Sequence, residues 1–188
     1  YESFFFCSTV SKIMITTGDP RGLARKTEIV DVANGASCSD LADFPVELEY
    51  TGVGGNLDGI PVVCGICTYF HCETDKCYRF TNGVWEVFAS MNDEISGAAG
   101  VIYNKKLHVF GGYGFGGVFG RLRTSKTISV DSSVNNGPDL PMAVYGHAMT
   151  SINHTVSLLS GGATTANFAS VQTWYCNHRR ACGFQNLV

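Results

Sequence analysis

The densest set of reactive side chains in this sequence is Cys64-x2-Cys67-x4-Cys72-x4-Cys77. Four thiolates at such spacings can close a tetrahedron around zinc. The same sulfurs can instead pair as two disulfides. Cys64 stands near the end of the apolar run Ile60–Gly65 (IPVVCG), and Cys77 lies in Lys76–Thr81 (KCYRFT), which reads as the next strand, antiparallel beside it. A bridge from Cys64 to Cys77 then needs no distortion, and Cys67 with Cys72 staples the loop between. Each bridge contributes about 2 to 3 kcal/mol in the loop-entropy picture. A redox Cys-x-x-Cys relies on a helix N-terminus to lower the first thiol's pKa, and no helical pattern surrounds Cys64. Two disulfides are therefore expected, with neither a metal nor another cofactor.

Cys7, Cys38, Cys176 and Cys182 bring the total to eight, and their pairing depends on how the strands close. So many cysteines in an even number suit an oxidising compartment, so an extracellular, secreted protein is expected. The sequon Asn153-His154-Thr155 points the same way and makes Asn153 a candidate for glycosylation. Tyr1–Val10 (YESFFFCSTV) lacks the basic region of a signal peptide, which reads as a processed or truncated start.

Other catalytic patterns are weak. His71, His108, His147, His154 and His178 show no ligand spacing such as His-x-x-x-His, and no Gly-x-Ser-x-Gly elbow occurs. Gly111–Gly117 (GGYGFGG) superficially resembles a phosphate loop but lacks the Gly-Lys-Ser/Thr that would follow. With 13 basic and 16 acidic residues the net charge is −3 and no basic stripe forms, so nucleic acid is not an expected partner. No run approaches the roughly 18 apolar residues of a membrane span.

The elements that position these residues follow from a repeat. Lys12–Gly18 (KIMITTG), Ile60–Gly65, Leu107–Gly112 (LHVFGG) and Val156–Gly162 (VSLLSGG) are apolar runs closing on Gly18, Gly65, Gly112 and Gly162, at intervals of 47, 47 and 50 residues. A fixed period near 50 is the mark of a repeat architecture. In the third unit, Gly97–Asn104 reads as a first strand and Leu107–Gly112 as a covered second strand. Tyr113–Arg123 is then a loop, and Lys126–Asp131 an alternating third strand. The second unit adds a tight turn at Asn82-Gly83 before Val84–Ser90. The first unit supplies Lys12–Gly18, Thr27–Val32 and Leu41–Leu48; the fourth His147–Asn153, Val156–Gly162 and Val171–Asn177. The expected fold is all-β, a β-propeller of about four four-stranded blades in one domain, at roughly 12–50, 51–93, 94–145 and 146–180.

Phe110-Gly111-Gly112, Trp85 and Leu140-Pro141-x4-Gly146-His147 resemble the kelch repeat. The cysteine-rich form, with Cys38, Cys64-Gly65 and Cys77-Tyr78, resembles the secreted kelch-type proteins of invertebrates. The resemblance implies a kelch propeller, a ring that commonly carries six or seven blades. Units one and two depart from the pattern, placing Thr17 and Cys64 where the first glycine belongs. Asp131 to Ala148 spans 17 residues, but the matching step from Asn177 to Ala181 spans only 4. An outer strand is therefore expected to be missing there, with Ala181–Asn186 starting a further blade at 181–188 of a partial ring. Open edges of such a ring would need a partner.

Loops on a rigid ring carry function, and aromatic and arginine side chains dominate interface hot spots. Tyr113, Phe115, Phe119, Arg121 and Arg123 are thus candidate binding residues, joined on the same rim by Arg21 and Arg25 from the matching loop of the first unit. The reading is a non-catalytic protein-binding or assembly module. A carbohydrate-binding propeller, with Trp85, Trp174 or the loop aromatics as stacking platforms for a glycan, is one alternative. A copper-radical oxidase, whose kelch-type relatives use tyrosine, histidine and a cysteine cross-link, is another that Tyr175-Cys176 only weakly suggests.

Overall fold

The computed structural model describes residues 3–9, 12–17, 25–38, 41–46, 52–66, 74–115, 120–140, 142–151, 156–164, 171–177 and 180–185. The chain is all-β. The first sheet holds β1 (Ser3–Thr9), β2 (Lys12–Thr17), β3 (Thr27–Asp31) and β4 (Ser37–Cys38). The second holds β5 (Val53–Leu57), β6 (Ile60–Cys64), β7 (Lys76–Thr81) and β8 (Val84–Ser90). After β9 (Glu94–Ser96) come β10 (Ala99–Tyr103), β11 (Lys106–Phe110), β12 (Tyr113–Phe115), β13 (Gly120–Arg121), β14 (Ser125–Ser129) and β15 (Val134–Asn136). Of these, β10, β11, β14 and β15 form the third sheet, while β13, β12 and β9 form a small ribbon. The last sheet is β16 (Tyr145–Ser151), β17 (Val156–Ala163), β18 (Val171–Asn177) and β19 (Arg180–Gln185). Every pairing is antiparallel and each four-stranded sheet runs in chain order.

The turns follow from residues that tolerate positive φ. Asn82 and Gly83 sit at φ 52° and 80°, and Asn104 and Lys105 at 47° and 56°, so both hairpins turn within two residues. First strands of successive sheets lie side by side: β1 against β5, β5 against β10, β10 against β16. The same packing does not recur between β16 and β1 among the described residues.

What joins one sheet to the next is a buried side chain in the linker after the outer strand. Phe44, Met91 and Leu140 are almost wholly buried, and each donates its backbone N–H into the loop that precedes the third strand of the sheet just completed. Phe44 bonds the Arg25 carbonyl at 2.6 Å, Met91 that of Asp75 at 2.7 Å, and Leu140 that of Arg123 at 2.6 Å. The linker is thereby tied to its own sheet while its side chain fills the junction with the following one. Phe44 lies with Met14 of the first sheet and Val63, Tyr78 and Trp85 of the second. Met91 lies with Val62 and Phe88 of the second and Leu107 and Ile128 of the third. Leu140 lies with Phe110 of the third and Leu159 of the fourth. Trp85 also donates its indole N–H to the buried Thr27 hydroxyl at 2.9 Å, tying β8 to β3.

Three expectations are corrected. Leu41–Leu48 was expected to be a strand, but its described part, 41–46, has no strand and is the first of these linkers; Asp43 and Pro45 flank the buried Phe44. The first sheet is completed instead by β1 and by the two-residue β4. Tyr113–Arg123 is not a simple loop, because Tyr113 pairs with both Ser96 and Arg121. Ala181–Asn186 does not begin a further sheet: Asn177 pairs with Arg180, so the chain turns straight back and β19 is the outer strand of the fourth sheet. The step from Asn177 to Arg180 is short because the two strands it joins are antiparallel neighbours in one sheet.

Candidate interaction face

The β9–β12–β13 ribbon brings together three residues from separate stretches of sequence. Tyr113 and Arg121 are cross-strand partners, and both meet Tyr145 at the start of β16. The Arg121 guanidinium carbon lies 5.4 Å from the Tyr145 ring centre. Tyr113 stands edge-on to the same ring, with centres 5.8 Å apart and planes at 73°. A cation held over an aromatic face at a partly exposed site gains about 0.5 to 1 kcal/mol, enough to orient the arginine without burying it. Arg121 Nε is itself buried and has no hydrogen-bond partner among the described residues.

The backbone beneath is stitched in place. Leu122 N–H donates to the Gly112 carbonyl (2.8 Å), Gly112 N–H to the Val144 carbonyl (2.8 Å), and Val144 N–H to the Leu122 carbonyl (3.1 Å). Leu122 is buried below the ribbon while Arg123 beside it is exposed, with Asp139 at 3.7 Å. Both partners of that pair are more than half exposed, so it contributes little to stability. Met142, in the same returning linker, is also exposed.

The glycines explain why this linker can pass so close. Gly111 has φ +59°, and a Cβ there would come within 2.6 Å of the Val144 carbonyl oxygen and 3.1 Å of His147. Gly162, with φ +87°, faces the same segment from the fourth sheet, where an added Cβ would come within 2.8 Å of His147 Cβ. Gly111 of the third sheet and Gly162 of the fourth thus clear a slot for 144–147. This is the physical reason the Gly-Gly and Gly-His elements occur together.

His147 is buried in that slot. Burial pushes its pKa down to about 4, with the Phe110 carbonyl nearby offsetting part of the effect. Neither ring nitrogen reaches hydrogen-bonding geometry with a described residue. Burial lowers the His108 pKa as well. An unfolded chain takes up a proton near pH 6.5, the folded chain only near 4, so protons favour unfolding within that window. Stability should be full above pH 6.5 and fall by up to about 3 kcal/mol as pH drops to 4. Urea midpoints at pH 7 and pH 4.5 measure the drop, and His147→Gln should make it shallower.

The predicted residues separate. Tyr113 and Arg121 converge and Arg123 is adjacent. Arg25 belongs to the first sheet, where its Nε donates to the Phe44 carbonyl at 2.8 Å, so it braces a linker and does not meet Arg121. Phe115 is placed only through its backbone, opposite Glu94. Arg21, Phe119, Cys67, Cys72 and Asn153 lie outside the described residues. Tyr145 was missed, since it falls inside the Leu-Pro-x4-Gly-His stretch, which reads as architecture. Its one signal is an aromatic ring beside Gly146, at φ +62°.

Cys64 and Cys77 form a disulfide at directly opposed positions of β6 and β7, with Cα atoms 4.2 Å apart and both residues buried. Neither sulfur is then a thiolate, so the four-thiolate zinc reading loses two of its ligands. Among the described residues no three His, Cys, Asp or Glu side chains converge on one point. No described helix is long and apolar enough to cross a membrane. Neither a protein-family model nor a curated protein matches the chain.

Proposed function

We propose that this chain is a non-catalytic, extracellular protein-binding or assembly module, its sheets set as blades of a kelch-type propeller. The observation that carries the binding assignment is the Tyr113–Arg121–Tyr145 cluster, a preorganised arginine framed by two tyrosines on a braced surface. Such rigid aromatic and arginine anchors supply most of the energy at protein interfaces, since little side-chain entropy is lost on docking. The radial arrangement is supported by the serial contact of β1, β5, β10 and β16 and by the equivalent linker plugs at three junctions. The Cys64–Cys77 bridge supports an oxidising compartment.

The carbohydrate-binding reading is weaker, because Trp85 is buried between Phe44 and Phe80 and offers no open stacking face. Among the described side chains, Tyr113 and Tyr145 are the aromatics on this side that could serve a sugar. Parallel arrays of extracellular proteins and of glycans, probed with the secreted chain, separate the two readings. A saturable protein ligand is expected. Specific binding confined to glycans would replace the proposal with the carbohydrate reading.

A further inference from the structure

We infer that Cys176 and Cys182 are joined as a second cross-strand disulfide, which closes the outer hairpin of the last sheet. The two strands run antiparallel, with Thr173 opposite Gln185, Trp174 opposite Phe184 and Tyr175 opposite Gly183. The next step in that register sets Cys176 against Cys182. Beyond it the pairing shifts to Asn177 opposite Arg180, so Cys176 faces both Ala181 and Cys182 across a bulge. Directly opposed residues of antiparallel strands have Cα atoms about 4.5 to 5.5 Å apart, inside the roughly 4.4 to 6.8 Å window of a disulfide. Cys64 and Cys77, directly opposed on β6 and β7, already bond across neighbouring antiparallel strands of this chain. The bridge lies in the outer strands of the sheet whose first strand opens with Tyr145, and it does not rest on the proposed interaction face.

The topology also bears on two of the other cysteines. Cys7 is on β1 and Cys38 on β4, the two edges of the first sheet. Three strand spacings separate those edges, roughly 14 Å, twice what a disulfide spans. Those two therefore do not bond to each other.

With glutathione disulfide as oxidant the chemistry balances. One cysteine thiolate attacks the glutathione disulfide and releases one glutathione thiol. The second cysteine thiolate then displaces the other glutathione from the mixed disulfide. The two cysteines lose two electrons and two protons, and one glutathione disulfide becomes two glutathiones. Formation at the last hairpin makes its strand pairing resistant to fraying.

Trypsin tests this directly, because Arg179 and Arg180 lie between the two cysteines. The chain is refolded with glutathione disulfide, free thiols are blocked, and the digest is compared before and after reduction. The peptide Ala181–Val188 should be absent before reduction and appear after it, released from Thr127–Arg179, whose only cysteine is Cys176. Blocked Cys182 before reduction, or Cys182 linked to any other peptide, overturns the assignment. In Cys182→Ser, Cys176 should become available to the blocking reagent; if Cys176 stays bonded to another cysteine, the assignment also fails.

Discussion

Replacing Phe44 by alanine is expected to cost about 4 kcal/mol, within the range for deleting a buried phenylalanine side chain. The ring is fully buried and lies 5.0 Å from Tyr78 and 4.9 Å from Trp85, centre to centre. Those partners belong to the second sheet, whereas the Phe44 backbone is held to the first sheet through both its N–H and its carbonyl, each paired with Arg25. The cavity cannot collapse easily, because closing it would require the linker to leave Arg25. The loss should therefore appear as a lower urea midpoint, with the exchange of backbone amides in β2, β3 and β6 to β8 quickened together. Phe44→Leu, which keeps most of the volume, should recover more than half of the loss. A cost under about 1 kcal/mol for Phe44→Ala would mean that the linkers do not hold the sheets together.

Gly111→Ala is expected to cost about 2 to 5 kcal/mol. Two terms add: about 1 to 2 kcal/mol for a side chain in the left-handed region, and about 1 to 3 for forcing it into a packed site. The second term has a definite origin, the Val144 carbonyl oxygen 2.6 Å from the new methyl group. That carbonyl accepts from Gly112 N–H and so cannot retreat freely. Gly83→Ala is the matched control, with φ +80° and nothing within 4 Å of the new atom. It should cost only the first term. Chemical denaturation of the two variants side by side measures the difference, and equal losses would show that space at Gly111 is not the constraint.

Much of the scaffold can be read from residue pattern alone, for reasons that particular elements make plain. Apolar runs such as IPVVC of β6 and KLHVF of β11 are covered on both faces, and Asn82-Gly83 fixes its hairpin register through backbone conformation. These are local rules, and a single sequence expresses them. The linker plugs were less visible. Phe44, Met91 and Leu140 share no residue type and recur at the sheet junctions, where no strand periodicity marks them. Matching Ala181 to Ala148 by repeat position points to a new sheet at 181, whereas the long-range register, with Asn177 opposite Arg180, makes 180–185 the outer strand of the fourth sheet.

The interaction face divides in the same way. Tyr113 and Arg121 are near in sequence and belong to one ribbon, so the aromatic and basic loop pointed to them. Tyr145 completes the cluster from the start of the next sheet, a long-range contact that no local pattern encodes. Arg25 illustrates the reverse error. It occupies the matching loop of the first sheet, yet its guanidinium is used to brace Phe44. Matching loop position does not carry matching side-chain use.

The measurement that bears most directly on the assignment is the affinity of Arg121→Ala for the protein ligand, taken together with its melting temperature. Arg121 is half-buried and orients over Tyr145, and no described strand pairing depends on its guanidinium. The predicted result is an affinity at least tenfold lower, about 1.4 kcal/mol of binding energy, with a melting temperature within about 3 °C of the parent chain. Unchanged affinity, or affinity lost only in step with the melting temperature, would contradict the claim that this cluster is the binding surface.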